Sequence, residues 1–512
     1  MALLYPSILI LFLPVWAFCY WILPYFTTYR HLRHMPGPFV GKFSNVWLGF
    51  AARNARKFAW VHAAHQKYGK VVRVGFNHVS IATPEGLRTI YSHNGGFLKD
   101  VFYDAFVSGV PGLFNVRHRG EHARKRRIVS HAFSPASVNN FEPYISANLL
   151  RWVSQLDRIA ETPGEDGYAR VNIMGWCTFL AFDTIGDLAF GAPFGMVLRG
   201  RDECESTIPG EPATYVPGAE TLNRRGEVSS TLGILPALRP WARYLPDPFF
   251  AKGVQSVRNL HGIADAAVAK RLAAGETSSR HDILEMLRRG KDAQGNPMGR
   301  EELVSEALTL LAAGSDSVSN TACAIFYWIL DGERRRPGTV VPRLQAELDK
   351  AVHASSSIAM HSEVKSLRFL RLCIDEAMRL HSTSALGLPR VVAEPGGVTC
   401  ENEHFPEGTV LSVPSYTLHH TEEIWGPDVE EFKPDRWLDA TPRQKMSFNP
   451  FSHGPRACVG MNVALMELLL TIGTAFHRYD FKLYQKELEY TEGLSKKPTE
   501  CWVGIKLRDI EV

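Results

Sequence analysis

The chain has 512 residues, of which 45% are hydrophobic and 21% charged, and a formal net charge of +4. This composition excludes a disordered or fibrous protein and supplies the apolar residues for a large core. The mild charge gives no footing for nucleic acid, and eight scattered cysteines without disulfide-framework or zinc spacing fit a reducing compartment.

Residues Ala2 to Phe26 carry no charge. An apolar run of about 25 residues is long enough to cross a bilayer. Pro6, Pro14 and Pro24 shorten the regular helix, while Trp16, Trp21 and Tyr25 suit an interface. Arg30, His31, Arg33 and His34 follow at once, and positive charge on that flank predicts a cytosolic body. A cleaved signal peptide is the competing reading. It would need a basic start, a shorter apolar run and a small-x-small cleavage site, which this segment lacks. The sequence thus predicts a single-pass transmembrane anchor over 1–28. A basic, Pro/Gly-rich hinge over 29–44 follows, stiffened by Met35-Pro36-Gly37-Pro38, and then a body over 45–512.

Length would allow roughly two to four domains, but no interior stretch of the body reads as a linker. Two β-branched runs, Val71 to Val74 and Val79 to Ala82, flank Asn77-His78 and predict a hairpin. Helical periodicity dominates from about Phe141. Val171 to Phe190 predicts a buried helix, residues 198–248 loops broken by short helices, and Phe249 to Ala273 another helix. After a turn at Gly295-Asn296-Pro297, Arg300 to Asp331 predicts a proline-free helix on the order of 48 Å long. Its middle, Leu310-Leu311-Ala312-Ala313-Gly314, is small and apolar. Phe369 to Leu380 is helical, so Glu376 and Arg379 share a face. Short extended pieces fall near Val410–Val413 and at the C-terminus.

The most informative stretch is Phe451-Ser-His-Gly454-Pro-Arg456-Ala-Cys458-Val-Gly460. It predicts a tight loop entering a helix over Met461 to Arg478. Gly454 and Gly460 allow turns and the close approach of a flat ligand. Cys458 then lies at a helix N-terminus, where free N–H groups and the dipole favour a thiolate, and Arg456 adds positive charge two residues away. A thiolate held this way can ligate a haem iron.

This loop resembles the Phe-x-x-Gly-x-Arg-x-Cys-x-Gly pattern of the cytochrome P450 family at every fixed position. The resemblance extends from about Pro36 to the C-terminus. It implies one mainly α haem domain with a small β-rich lobe, in place of several domains. It also implies haem b with Cys458 as the axial iron ligand, and microsomal placement in the endoplasmic reticulum membrane with the catalytic domain facing the cytosol. Electrons would come from NADPH through a flavin reductase. Ala313-Gly314-Ser315-Asp316-Ser317 resembles the family's oxygen-activation motif. Gly314 would leave room for O2, Ser317 would bond back to the helix and pass protons, and Asp316 would relay protons or orient water. The family more often has threonine at the position of Ser317. Glu376, Arg379 and Arg436 (in Phe432-Lys-Pro434-Asp-Arg436-Trp437) match its structural triad. Gly120 to Arg127 resembles the helix that reaches a haem propionate, with His122 in place of the usual tryptophan. The propionates would meet Arg126, Arg390 and Arg456. Arg124, Lys125 and Arg127 would face outward, as a solvated face or a patch for an acidic reductase.

Gly96 to Ser108, Gly112 to Asn115, His122 to Phe133 and Ala312 to Asn320 are locally similar to the fungal benzoate 4-monooxygenase group of that family. This likeness implies insertion of one oxygen atom at the para carbon of benzoate. Phe102, Tyr103, Phe106, Ala313 and Leu386 would line the substrate pocket, and Tyr103 would donate a hydrogen bond to a carboxylate. No cation for that carboxylate is evident from sequence. Alternatives are hydroxylation of another aromatic or a secondary-metabolite intermediate, a haem-thiolate isomerase or dehydratase, and a non-catalytic haem protein. The last two classes have no use for the acid–alcohol pair Asp316-Ser317.

Overall fold

The structure is a computed structural model that describes residues 14–509 apart from positions 94, 209, 274–281 and 293. The body is mainly helical and is built around the helix Arg300–Arg335. Glu301 and Glu302 sit in its first turn and Arg334 and Arg335 in its last, the charge order that opposes the helix macrodipole. At 36 residues it is about 54 Å long, one turn longer than the sequence predicts. Its main neighbour is the helix Ile173–Phe190, whose side chains are buried almost all round. The sequence predicts a start two residues earlier. Ala169–Asn172 is instead a strand, with Val171 opposite Val503, and the Asn172 side chain accepts from Met174 N–H to open the helix.

The β lobe is a five-stranded sheet in the order Val71–Gly75, His78–Ile81, Val410–Ser412, Arg390–Val392, Phe97–Lys99. The predicted hairpin supplies its first two strands, with Val71 opposite Ile81. Strand Arg390–Val392 pairs antiparallel with Phe97–Lys99, setting Arg390 opposite Lys99. A three-stranded sheet, Tyr479–Leu483, Trp502–Leu507 and Ala169–Asn172, closes the C-terminal side.

Residues 198–248 differ from the sequence expectation. They contain a 17-residue helix, Gly218–Ile234, and a two-stranded ribbon, Cys204–Ser206 with Thr214–Val216. Glycine, serine and threonine give the helix weak intrinsic propensity. It is held by packing, with twelve of its residues buried, Leu222, Val228 and Leu232 among them.

Among the described residues, Ile173–Phe190 is long and apolar enough to cross a membrane, and 83% of it is buried inside the protein. It is a core helix. The predicted anchor lies elsewhere, and its positions 1–13 fall outside the described residues. The described remainder holds a π-helical turn, Phe18–Ile22, and a helical turn, Leu23–Phe26, with no buried residue in either. The segment predicted as a hinge packs on the body. Leu32 and Met35 are buried, Arg73 N–H donates to Pro36 O at 2.8 Å, and the Arg73 guanidinium donates to Leu32 O at 3.1 Å.

Glu376 and Arg379 lie on helix Arg368–His381, both fully buried. Arg379 grips the Glu376 carboxylate with Nε at 3.0 Å and Nη2 at 2.8 Å. Arg436 Nε reaches the same carboxylate at 3.2 Å. The three residues expected to form a triad therefore meet. They tie the helix to the segment that leads into the cysteine loop.

Candidate active site

The cysteine loop closes on itself through Cys458 N–H, which donates to Phe451 O at 2.9 Å. Gly454 has φ 70°, and a Cβ there would stand 1.8 Å from Tyr91 O. Only glycine fits that turn. Gly460 is the N-cap of helix Met461–Arg478, and its backbone N–H bonds to the Cys458 sulfur. Burial raises the thiol pKa, while the Gly460 N–H and the Arg126 charge oppose that shift. The cation acting on the sulfur is thus Arg126, whose Nη1 donates to Ala457 O at 2.7 Å, and not Arg456 as the sequence suggests. Arg456 points the other way, to Val116 O at 2.7 Å and Arg117 O at 3.2 Å.

Cys458 opens onto a cavity of about 310 Å³. Ala313, Asp316 and Ser317 of the long helix line the same cavity, as do Phe106, Phe451 and Arg456. The Ser317 hydroxyl donates to Ala313 O at 2.6 Å, the i−4 bond that locally opens a helix. Asp316 accepts from Asn320 Nδ2 at 3.0 Å. Lys497 also lines the cavity, and the Asp316 charge partly offsets the lowering of its pKa by burial. Gly314 has a different role from the one expected. A Cβ there would meet Ile185 at 2.8 Å, so it is glycine because two helices touch, and Ala312 and Ala313 are the small residues facing the cavity.

Three of the expected pocket residues are displaced. Phe102 and Leu386 line a separate cavity of about 850 Å³ beside the N-terminal segment. Tyr103 is fully buried, and its hydroxyl accepts from Arg390 Nη1 at 2.7 Å. It serves Arg390 and does not face the cavity. Lys125 is likewise not outward-facing. It is buried and paired with Glu302 and with Glu306 at 3.1 Å. Arg124 bonds to Glu121 and Glu302, which leaves Arg127 exposed.

Beside the cavity His122, Arg126, Arg390 and Arg456 are gathered together with Lys99, which sequence reading missed. Their mutual influence is felt at the His122 ring. Its pKa is depressed to about 3 by burial, then by Arg456, Lys99, Arg126 and Arg390. Lys99 is depressed by burial, then by Arg390 and Arg456. Among the described residues, these cations bond only to backbone carbonyls and to Tyr103, and none is paired with a carboxylate. Like charges gathered without a counter-ion are costly, so the cluster calls for anions from outside the chain. A flat group bearing two carboxylates and coordinated by a sulfur meets that need. Haem has this form, with Cys458 to hold the iron and the cation cluster to hold the propionates. The signal for Lys99 in the sequence is a lysine within the Phe97-Leu98-Lys99 strand.

The sequence profile of the cytochrome P450 family matches residues 36–500. Benzoate 4-monooxygenase bphA of Aspergillus niger is 49% identical over 500 residues, covering 96% of this chain and 95% of the relative. Cytochrome P450 monooxygenase atnE of Emericella nidulans is 30% identical over 88% of this chain and 86% of its own. Cytochrome P450 monooxygenase poxM of Penicillium oxalicum is 28% identical over 89% and 85%. With this coverage, and with a cysteine loop and an acid–alcohol helix facing one cavity, the chain belongs to the cytochrome P450 family and is a haem-dependent monooxygenase.

Proposed function

We propose that the protein hydroxylates benzoate at the para carbon to give 4-hydroxybenzoate, with O2 and with electrons from NADPH through a flavin reductase. The carrying observation is the near full-length similarity, at 49% identity, to a relative named for that reaction. The apolar wall formed by Phe106, Phe114 and Leu308 suits a small flat ring. When bound, the haem supplies oxygen activation at an iron ligated by Cys458. The residues of the chain do the rest. The Gly460 N–H and Arg126 stabilise charge on the sulfur. Arg126, Arg390, Arg456 and Lys99 hold the propionates, and His122 donates one further N–H. Ser317 presents its hydroxyl to the cavity, and Asp316 feeds protons to it.

Titration of the haem-loaded protein with benzoate should convert low-spin to high-spin iron, and turnover should yield only 4-hydroxybenzoate. A spin shift with larger aromatics and none with benzoate would reject this substrate. Ser317→Ala should lower the fraction of electrons ending in product by about 100-fold, the lower end of the span for a lost proton-transfer group, with peroxide making up the difference. Unchanged coupling would remove Ser317 from the proton path.

Membrane attachment is part of the same proposal. The apolar side chains Trp16, Phe18, Trp21, Leu23 and Phe26 are exposed, as are Phe39, Phe50, Trp241 and Tyr244 on the body. Exposed aromatic and aliphatic side chains of that kind suit a bilayer surface. They support an anchor in the endoplasmic reticulum membrane with the body in the cytosol. Flotation of the full chain with liposomes, lost on deletion of residues 1–28, is the test.

A further inference from the structure

One buried cation in the cavity has no part in haem retention. Arg225 lies in helix Gly218–Ile234, is 7% exposed, and lines the cavity into which Cys458 opens. Its Nη2 donates to Phe106 O at 2.7 Å and reaches Ser108 Oγ only at 3.5 Å. Asn115 Nδ2 occupies the same Phe106 carbonyl at 2.9 Å, so the two lone pairs of that oxygen are both used. Arg225 Nε is buried without any partner. Burial alone lowers the guanidinium pKa, to about 10, and no carboxylate raises it.

The other charged groups on this wall are already answered. Lys497 Nζ bonds to Asn223 Oδ1 at 3.0 Å and lies in the field of Asp316. Glu227 is paired with Arg224 at 2.7 Å. Arg225 is therefore a fixed, dehydrated guanidinium with N–H donors to spare, beside a chamber whose walls combine the apolar side chains Phe106, Phe114, Leu222 and Leu308 with serine and threonine hydroxyls. Guanidinium matches carboxylate geometry with two parallel bonds. A charge buried without a partner is costly until an anion arrives.

We propose that Arg225 is the substrate-anchoring residue and takes the carboxylate of an aromatic acid, which makes the ionised acid the preferred substrate form. This rests on the benzoate reading above. The para carbon is the ring position farthest from the carboxylate, so a single anchor at Arg225 directs that carbon away from itself and excludes attack at the ortho positions.

The test uses full-length, haem-loaded protein, the spin-state shift as readout, and two probes of similar size, benzoate and its neutral methyl ester. Wild type should bind benzoate more tightly than the ester. Arg225→Gln should weaken benzoate by at least about 30-fold, the lower range for truncating one partner of a desolvated charge pair. It should leave the ester within about threefold, since an exchanged neutral contact is worth little. Arg225→Lys should fall between, and the glutamine variant should release hydroxylated isomers other than the para product. Equal losses for both probes would mean that Arg225 merely props up Phe106, and unchanged benzoate affinity would overturn the proposal outright. If neither variant holds haem, wild type decides: no preference for benzoate over its ester is fatal to the anchor. If wild type fails to bind benzoate but binds another aromatic acid, the substrate reading falls while the anchor is retested with that acid and its ester.

Discussion

Replacing Glu376 with alanine should leave almost no haem-loaded protein, at a cost of roughly 3–5 kcal/mol, the usual penalty for breaking a buried charge pair by removing one member. The carboxylate accepts five hydrogen bonds. Two come from Arg379, and one each from Arg436 Nε, Lys433 N–H at 3.2 Å and Trp437 Nε1 at 3.0 Å. Alanine would strand two guanidinium groups in a dry site. The damage would travel, because Arg379 Nη1 also donates to His419 O at 2.9 Å. The His419 ring is fixed in one tautomer. Its Nε2 accepts from Asn449 N–H at 3.2 Å, so Nδ1 carries the proton and donates to Ser382 Oγ at 2.6 Å. Burial and Arg379 hold that ring neutral, with a pKa near 3. Asn449 lies two residues before Phe451, where the cysteine loop begins. The network thus runs from the triad to the iron-binding loop without passing through the substrate cavity. Glu376→Gln keeps the shape and some of the bonds and should fall between. The checks are holoprotein yield and urea unfolding. An alanine variant within about 1 kcal/mol of wild type would fit a solvated surface pair and would refute the triad's structural role.

How much of this was legible in the sequence depended on whether the signal was local. The cysteine loop was legible because each glycine and arginine sits at a fixed offset from Cys458, and a loop of ten residues carries its own geometry. The long helix was legible because nothing in Arg300 to Asp331 interrupts it. Gly314 was found but misassigned. Its cause is Ile185, on a helix more than a hundred residues earlier, and no local pattern reports an interhelical contact. Lys125 reads as a surface charge because basic runs usually are, whereas Glu302 and Glu306 reach it from the long helix. The largest loss was Arg225. Residues 198–248 read as loops because Gly, Ser, Thr and Pro weaken the helical signal, and tertiary packing then overrode propensity. With the helix unrecognised, its one cavity-facing arginine could not be told from the other arginines of the segment.

Cys458→His should abolish the ferrous–carbon monoxide absorbance that marks thiolate ligation and reduce product formation to the background of the reductase alone, even if haem is still bound. Among the described residues lining the cavity, Cys458 is the only cysteine and there is no histidine. Cys177, Cys204, Cys323, Cys373, Cys400 and Cys501 are buried elsewhere, and Cys19 lies in the N-terminal segment. The other sulfur among the described lining residues is the Met378 thioether, and a neutral thioether cannot supply the charge of a thiolate. A thiol whose pKa is raised by desolvation becomes a thiolate when it binds a metal. The Gly460 N–H and Arg126 are then the groups that bear the charge left on sulfur. Arg126→Gln accordingly should keep the thiolate band but weaken haem retention, because Arg126 braces the cysteine loop at Ala457 O and would also meet a propionate. Persistence of the thiolate band in Cys458→His would place the ligand outside this cavity and undo the assignment of the site, whereas its loss together with retained haem ties the chemistry to a single sulfur atom.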